Sequence, residues 1–152
     1  MDIALYQPDI PQNTAAILRT AVCLNLDVHV VGPAAFDLSD RAMGRAGLDY
    51  AARAAIKRHD SFGAFEAGAR RIVLLTTSAA TPLQAFKFRP DDTLLFGRES
   101  SGVPEAVHEA CVHKVRIPMA PDTRSLNLSA AVAMAAFHAL AATASIEQKG
   151  LA

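Results

Sequence analysis

The sequence predicts an α/β fold, a mostly parallel sheet flanked by helices on both faces. Short apolar runs rich in β-branched residues alternate with longer helical stretches along the chain, the pattern of strand–helix–strand units. At 152 residues, 51% of them apolar, the chain is long and greasy enough for one buried core. No internal repeat, low-complexity segment or linker divides it, so a single domain is expected.

Each element has its own local reason. Ile3–Tyr6 is a short apolar strand. Asn13–Leu26 is a helix, with Asn13 or Thr14 as its cap and Ile17, Leu18, Ala21, Val22 and Leu24 as its buried face. Val28–Val31, closed by Gly32-Pro33, is the second strand, and Asp37–Ala46 is a short arginine-rich helix. Ala54–Lys57 reads as a weak strand and Ser61–Gly68 as a helix capped by Ser61. Arg71–Thr77 and Thr93–Phe96 are strong strands. Pro104–Cys111 is helical, with proline in the permitted first turn. Lys114–Ile117 is the last strand, and Leu128–Gln148 is the final helix, with Glu147–Ala152 frayed. From Ala130 to Ala144 that helix is small or apolar nearly all round, so it needs cover on more than one side, and a second subunit is the natural source.

Composition excludes several classes. Fifteen Lys and Arg balance fifteen Asp and Glu, which argues against a protein that coats nucleic acid by bulk charge. Cys23 and Cys111 are far apart in apolar helical contexts and read as reduced core thiols of a cytosolic protein. His29, His59, His108, His113 and His138 show no metal spacing, so no metal is expected. The N-terminus lacks the basic start of a signal peptide, and Ala130–Ala142 is too short to span a bilayer. No Gly-x-Gly occurs, and Val103-Pro104 stand where a phosphate loop needs Lys and Ser or Thr.

The informative residues sit in three loops, each following a strand. Ile117–Ser129 carries Pro118, Pro121, Ser125 and Asn127 straight into the last helix. Two prolines stiffen this loop and withhold donors, and a helix N-terminus behind it offers free N–H groups, so the segment suits a ligand; capping explains one polar residue, not the whole run from Asp122. Pro8–Asn13 leads into a helix bearing Arg19, and Gly97–Pro104 is a glycine-bounded turn whose bland reading, taken alone, prevails. Ligands in open α/β folds bind beyond the carboxyl ends of strands, where three such loops can converge. Arg41, Arg45, Arg53, Lys57 and Arg58 form a basic concentration that reads equally as a solvated face or as phosphate contacts.

Together, Pro11-Gln12-Asn13-Thr14 with Arg19, Leu95–Pro104, and Ile117–Ser129 resemble the three ordered motifs of the SPOUT superfamily, the α/β-knot RNA methyltransferases. Arg45–Tyr50 and Pro121–Ser125 resemble its branch of minimal tRNA 2′-O-methyltransferases, which modify the wobble nucleotide, cytidine or carboxymethylaminomethyluridine. The resemblance runs from Ile3 to about Leu140, with no extra RNA-binding domain. It implies a C-terminal deep trefoil knot, an obligate homodimer, S-adenosylmethionine as cofactor and a tRNA anticodon stem-loop as partner. It places Leu75, Thr76, Gly97, Glu99, Ile117, Met119, Ser125, Leu126 and Asn127 at the cofactor, and Arg19 with Asn13 in catalysis. Gly97 is expected to let the backbone approach the cofactor. The five basic residues are expected to meet RNA phosphates. Ala130 and Phe137 depart from a pattern in which relatives often carry Asn and Tyr. The alternatives are another RNA 2′-O-methyltransferase, acting on ribosomal RNA or a different tRNA site, and a catalytically silent module that binds RNA or S-adenosylmethionine.

Overall fold

The structure is a computed structural model that describes residues 1–37 and 55–145. Among the described residues, seven strands form one sheet: β1 (Asp2–Tyr6), β2 (Val28–Val31), β3 (Ile56–His59), β4 (Arg71–Leu75), β5 (Thr81–Pro82), β6 (Asp92–Phe96) and β7 (His113–Arg116). Their spatial order is β3-β2-β1-β6-β4-β7-β5, and every pairing is parallel. The helices are α1 (Pro11–Cys23), α2 (Phe62–Glu66), α3 (Glu105–Ala110) and α4 (Leu128–Ala142), with a 3-10 turn at Leu83–Ala85.

The period-two alternation of the strands builds two cores. Ile3, Leu5, Val28, Val30, Val73, Leu94 and Phe96 point to one side, against Ile17, Leu18 and Ala21 of α1 and Val132, Ala135, Ala136, Ala139 and Leu140 of α4. Ala4, Val31, Leu74 and Leu95 point to the other, against Phe65 of α2 and Val107 of α3. The central strand β6 is buried along its whole length, as a strand covered on both faces must be.

Several elements differ from expectation. Helix α1 starts two residues early, with Pro11 in its first turn and Ile10 as an N-cap that makes no side-chain bond, so neither Asn13 nor Thr14 caps it. Strand β3 lies two residues later than expected, and β4 ends at Leu75. Pro104 is the N-cap of α3 rather than part of its first turn. Strand β5 escaped the sequence reading because it is two residues long and contains a proline, which an edge position tolerates. Ser61 caps α2 as expected, accepting from the Ala64 N–H at 3.2 Å. Cys111 is buried, but Cys23, on the last turn of α1, is exposed and is no core thiol. Helix α4 closes at Thr143, followed by Ala144 at φ +51°. Apart from Asp37, the arginine-rich helix expected over 37–46, with its Arg41 and Arg45, lies outside the described residues, as do the segment 45–50, Arg53 and the chain after 145.

At the amino edge of the sheet, the buried Asp92 of β6 faces its register partner Arg71 of β4. Arg71 donates twice to the Asp92 carboxylate, at 2.5 and 2.7 Å, and once to the Lys87 carbonyl at 3.0 Å. Asp92 also accepts from the Arg89 N–H at 2.8 Å, so the pair is bidentate and supported. Arg71→Met strands a buried carboxylate and should cost about 3–5 kcal/mol, whereas Arg71→Met with Asp92→Leu should recover most of that loss. Urea unfolding of the two variants beside the parent measures both values.

Candidate functional site

Because all strands run the same way, the loops after β1, β4, β6 and β7 emerge on one edge of the sheet. They enclose a cavity of about 460 Å³, inside the range of small-molecule sites, roughly 300–1,000 Å³. Its walls include Leu75, Thr76, Gly97, Glu99, Ile117, Met119, Ser125, Leu126 and Asn127, together with Asn13. These are the nine positions expected around a cofactor plus one of the two expected in catalysis.

A hydrogen-bonded chain ties three of these loops together. Asn127 Oδ1 accepts from the Ser129 and Ala130 N–H groups at 2.9 and 3.3 Å, capping α4. Its Nδ2 donates to Asn13 Oδ1 at 2.9 Å, and Asn13 Nδ2 donates to Glu99 Oε1 at 3.1 Å. Glu99 Oε2 accepts from the Asp9 N–H at 3.2 Å. In return, Asp9 accepts from the Glu99 N–H at 3.2 Å and from the Ser100 hydroxyl. Burial, then the neighbouring Asp9, lifts the Glu99 carboxyl above its ordinary range. The bond with Glu99, then that with Ser100, holds Asp9 at about 2.

The loop after β6 is closed on itself. Arg98 and Gly102 exchange two backbone hydrogen bonds of 2.9 Å, with Gly102 at φ +69°. A Cβ on Gly97 would stand 2.4 Å from the carbonyl carbon of Gly102. Within its own loop, Gly97 thus permits close approach to Gly102, and it also lines the cavity. Arg98 contributes a buried Nε–H with no partner among the described residues.

Other expected residues sit elsewhere. Arg19 is exposed and is not among the cavity-lining residues. Six residues separate it from Asn13, about a third of a turn round α1 and about 9 Å along it. Lys57 is bound to Asp27 at 2.7 Å, and Arg58 lines a second depression of about 390 Å³ with Gly32, Phe36 and His59. Ile10, Thr77, Arg98, Leu128 and Ala131 also line the main cavity and were missed. The available signal was membership of the second and third motifs for Arg98 and Leu128, and adjacency to the first for Ile10. Thr76 and Ser78 form a side-chain pair at 3.1 Å at the cavity's β4 end. Among the described residues no cluster of three His, Cys, Asp or Glu is placed to hold a metal, and no helix is long and apolar enough to cross a membrane.

Comparison with known proteins bears on this arrangement. The profile of the SpoU rRNA Methylase family matches residues 1–137. The chain is 51% identical, over 142 residues covering 91% of it and 89% of the relative, to the tRNA (cytidine(34)-2′-O)-methyltransferase of Beijerinckia indica. It is also similar to a solved structure described as "Structural insights into the 2-OH methylation of C/U34 on tRNA", with a TM-score of 0.85, 40% identity and coverage of 91% and 92% of the two chains. A third likeness is to the SpoU methyltransferase AviRb from Streptomyces viridochromogenes, solved with AdoMet. There the TM-score is 0.81 at 25% identity, covering 93% of this chain and 59% of that one.

The chain of amides separates capping from linkage. Asn127→Asp keeps the acceptor that caps α4 but not the donor to Asn13, so its unfolding free energy should stay near the parent's. Asn127→Ala should lose about 1 kcal/mol. Both should shift the Asn13 side-chain amide resonances, as NMR would show.

Proposed function

Because the chain belongs to the SpoU rRNA Methylase family, we propose that it is an S-adenosylmethionine-dependent enzyme that methylates the ribose 2′-hydroxyl of the tRNA wobble nucleotide, position 34. The observation that carries this is the convergence of three motif loops on one cavity at the carboxyl edge of the sheet. The cytidine or carboxymethylaminomethyluridine at that position, the anticodon stem-loop around it, and a cytoplasmic location belong to the same reading. So does the trefoil knot expected of a SPOUT domain.

The cavity fits the cofactor chemically. Leu75, Ile117, Met119 and Leu126 offer apolar walls for an adenine ring, while Thr76, Ser125 and backbone groups of the Gly97 loop offer polar partners. The Arg98 Nε–H, without a partner among the described residues, is a donor that a ligand can satisfy. When bound, S-adenosylmethionine supplies an electrophilic methyl group. The protein's task is to bring the 2′-hydroxyl in line with it and to ease loss of the hydroxyl proton. Asn13, held between Glu99 and Asn127, fixes the wall against which the ribose docks. Arg19 carries only donors, so it orients the hydroxyl or its neighbouring phosphate rather than serving as a free base. Standing exposed, it reaches the reacting group once RNA and a second subunit close the site.

The second subunit is motivated by α4. One face of this helix lies in the chain's own core, while Ala130, Met134, Phe137 and Ala141 form an exposed stripe at three- and four-residue spacing. Met134 is 49% and Phe137 57% exposed. A second copy would cover this stripe and form a homodimer. The RNA would then lie across both copies, with Arg41, Arg45, Arg53, Lys57 and Arg58 meeting its phosphates.

Three outcomes are expected. Purified protein should transfer labelled methyl to tRNA, with the product mapped to the wobble ribose as an alkali-resistant dinucleotide. Arg19→Ala should slow that transfer by about 100-fold or more with S-adenosylhomocysteine affinity, read by calorimetry, changed less than about twofold. Ribosomal RNA methylated with no wobble product would transfer the assignment to the neighbouring substrate. Separately, Phe137→Glu should convert a dimer to a folded monomer in light scattering, because an unpaired charge within an apolar interface is costly. Ala136→Glu cannot serve here, since Ala136 is buried in its own chain.

A further inference from the structure

The loop after β1 contains an acid to which the reading above gives no task. Asp9 lies between β1 and α1, four residues before Asn13. Its backbone N–H donates to Glu99 Oε2, its Oδ1 accepts from the Glu99 N–H, and its Oδ2 accepts from the Ser100 hydroxyl. These three bonds and the Asn13–Glu99 bond join loops about ninety residues apart in sequence. A helix cap would use an acid differently: α1 is capped at Ile10 without any side-chain bond, and Asp9 faces the other loop.

We propose that Asp9 is a positioning residue for methyl transfer: its reciprocal bonds clamp the Glu99 loop onto the start of α1 and keep the Glu99 carboxylate aimed at Asn13. The proposal rests on the reading of the cavity as a methyltransferase site. Glu99 spends both oxygens as acceptors, one on Asn13 and one on the Asp9 N–H. As a carboxylate it makes charge-assisted bonds, and on protonation it keeps only weaker neutral ones. Protonation of Glu99 therefore loosens Asn13, and through it the contact with Asn127.

The groups around Glu99 decide which acid takes the proton. From the loop after β1 the facing titratable group is Asp9, and α1 presents the uncharged Asn13 amide. The cations of these elements, Arg98 and Arg19, are not among the leading influences on Glu99. Asp9 is held low and Glu99 high, so as pH falls Glu99 protonates first. Activity should thus fall on the acid side through the raised Glu99 value, and removing the Asp9 charge should move that fall to lower pH.

The test uses the full-length protein with Asp9→Asn, Asp9→Ala and Asp9→Glu. Asp9→Asn keeps an acceptor for the Glu99 N–H and removes the charge. The acid limb of its kcat profile should shift down by about half a pH unit or more, with KM for S-adenosylmethionine little changed. Asp9→Ala should lower kcat about tenfold, and Asp9→Glu should restore most of that loss. Carbon-13 NMR of the Glu99 carboxyl, assigned with Glu99→Gln, provides a readout independent of turnover. Its midpoint should lie above that of exposed glutamates in the parent and drop in Asp9→Asn. An active parent whose acid limb and Glu99 midpoint ignore Asp9→Asn, with Asp9→Ala turning over within about twofold, overturns the clamp alone. A parent that transfers no methyl to any RNA overturns the methyltransferase reading, and the catalytic part of this proposal with it.

Discussion

One amide side chain joins the two ends of this molecule. Asn127 must turn its oxygen toward the first N–H groups of α4, because those donors have no other intrahelical partner. That choice leaves its nitrogen to donate, which makes the Asn13 oxygen the acceptor, which in turn makes the Asn13 nitrogen a donor. A donor there needs an acceptor beyond it, and Glu99 supplies one. The orientation of every polar group along this line follows from the cap of a single helix. The loops after β1, β6 and β7 are thereby fixed relative to one another, and the cavity keeps its shape only while they are.

The sheet makes this meeting possible. Seven parallel strands place all their carboxyl ends on one edge, so loops distant in sequence become neighbours without long excursions. The opposite edge carries different chemistry. There Arg71 and Asp92 spend their charges on each other and on the backbone of the turn before β6. The amino edge is polar for structural reasons and the carboxyl edge for chemical ones, which is why buried polar groups at the two ends have different meanings.

Helix α4 shows how one element serves two surfaces. A helix of small and apolar residues all round looks from sequence like an element buried on all sides. Within this chain it is buried on one side only, where Ala135, Ala136 and Ala139 allow close approach to the sheet and to α1. The larger Met134 and Phe137 face outward. Both faces mix small and large apolar residues, so a pattern based on hydrophobicity alone does not resolve them.

Much of the architecture was legible in the chain because it rests on local, periodic rules. Strands β1, β2, β4, β6 and β7 and helices α1, α2, α3 and α4 follow from apolar period, turn residues and length, and the cavity residues were legible because three motifs stand in order. Other features depend on partners far away in sequence. Asn13 has the composition of a helix cap, yet Pro11 starts the helix earlier and Glu99, eighty-six residues on, takes its amide instead. Gly97 was read as making room for a ligand; that it also makes room for the backbone of Gly102 is visible only in the folded loop. Asp9 was only one residue of the Pro8–Asn13 loop, and its partner Glu99 stands ninety residues on. Sequence alone determined most of the described strands and helices, β5 and the bounds of β3 excepted, because period and turn chemistry act between neighbours. Only the tertiary structure decided which polar groups pair, because hydrogen bonds are made between atoms about 3 Å apart whatever length of chain lies between them.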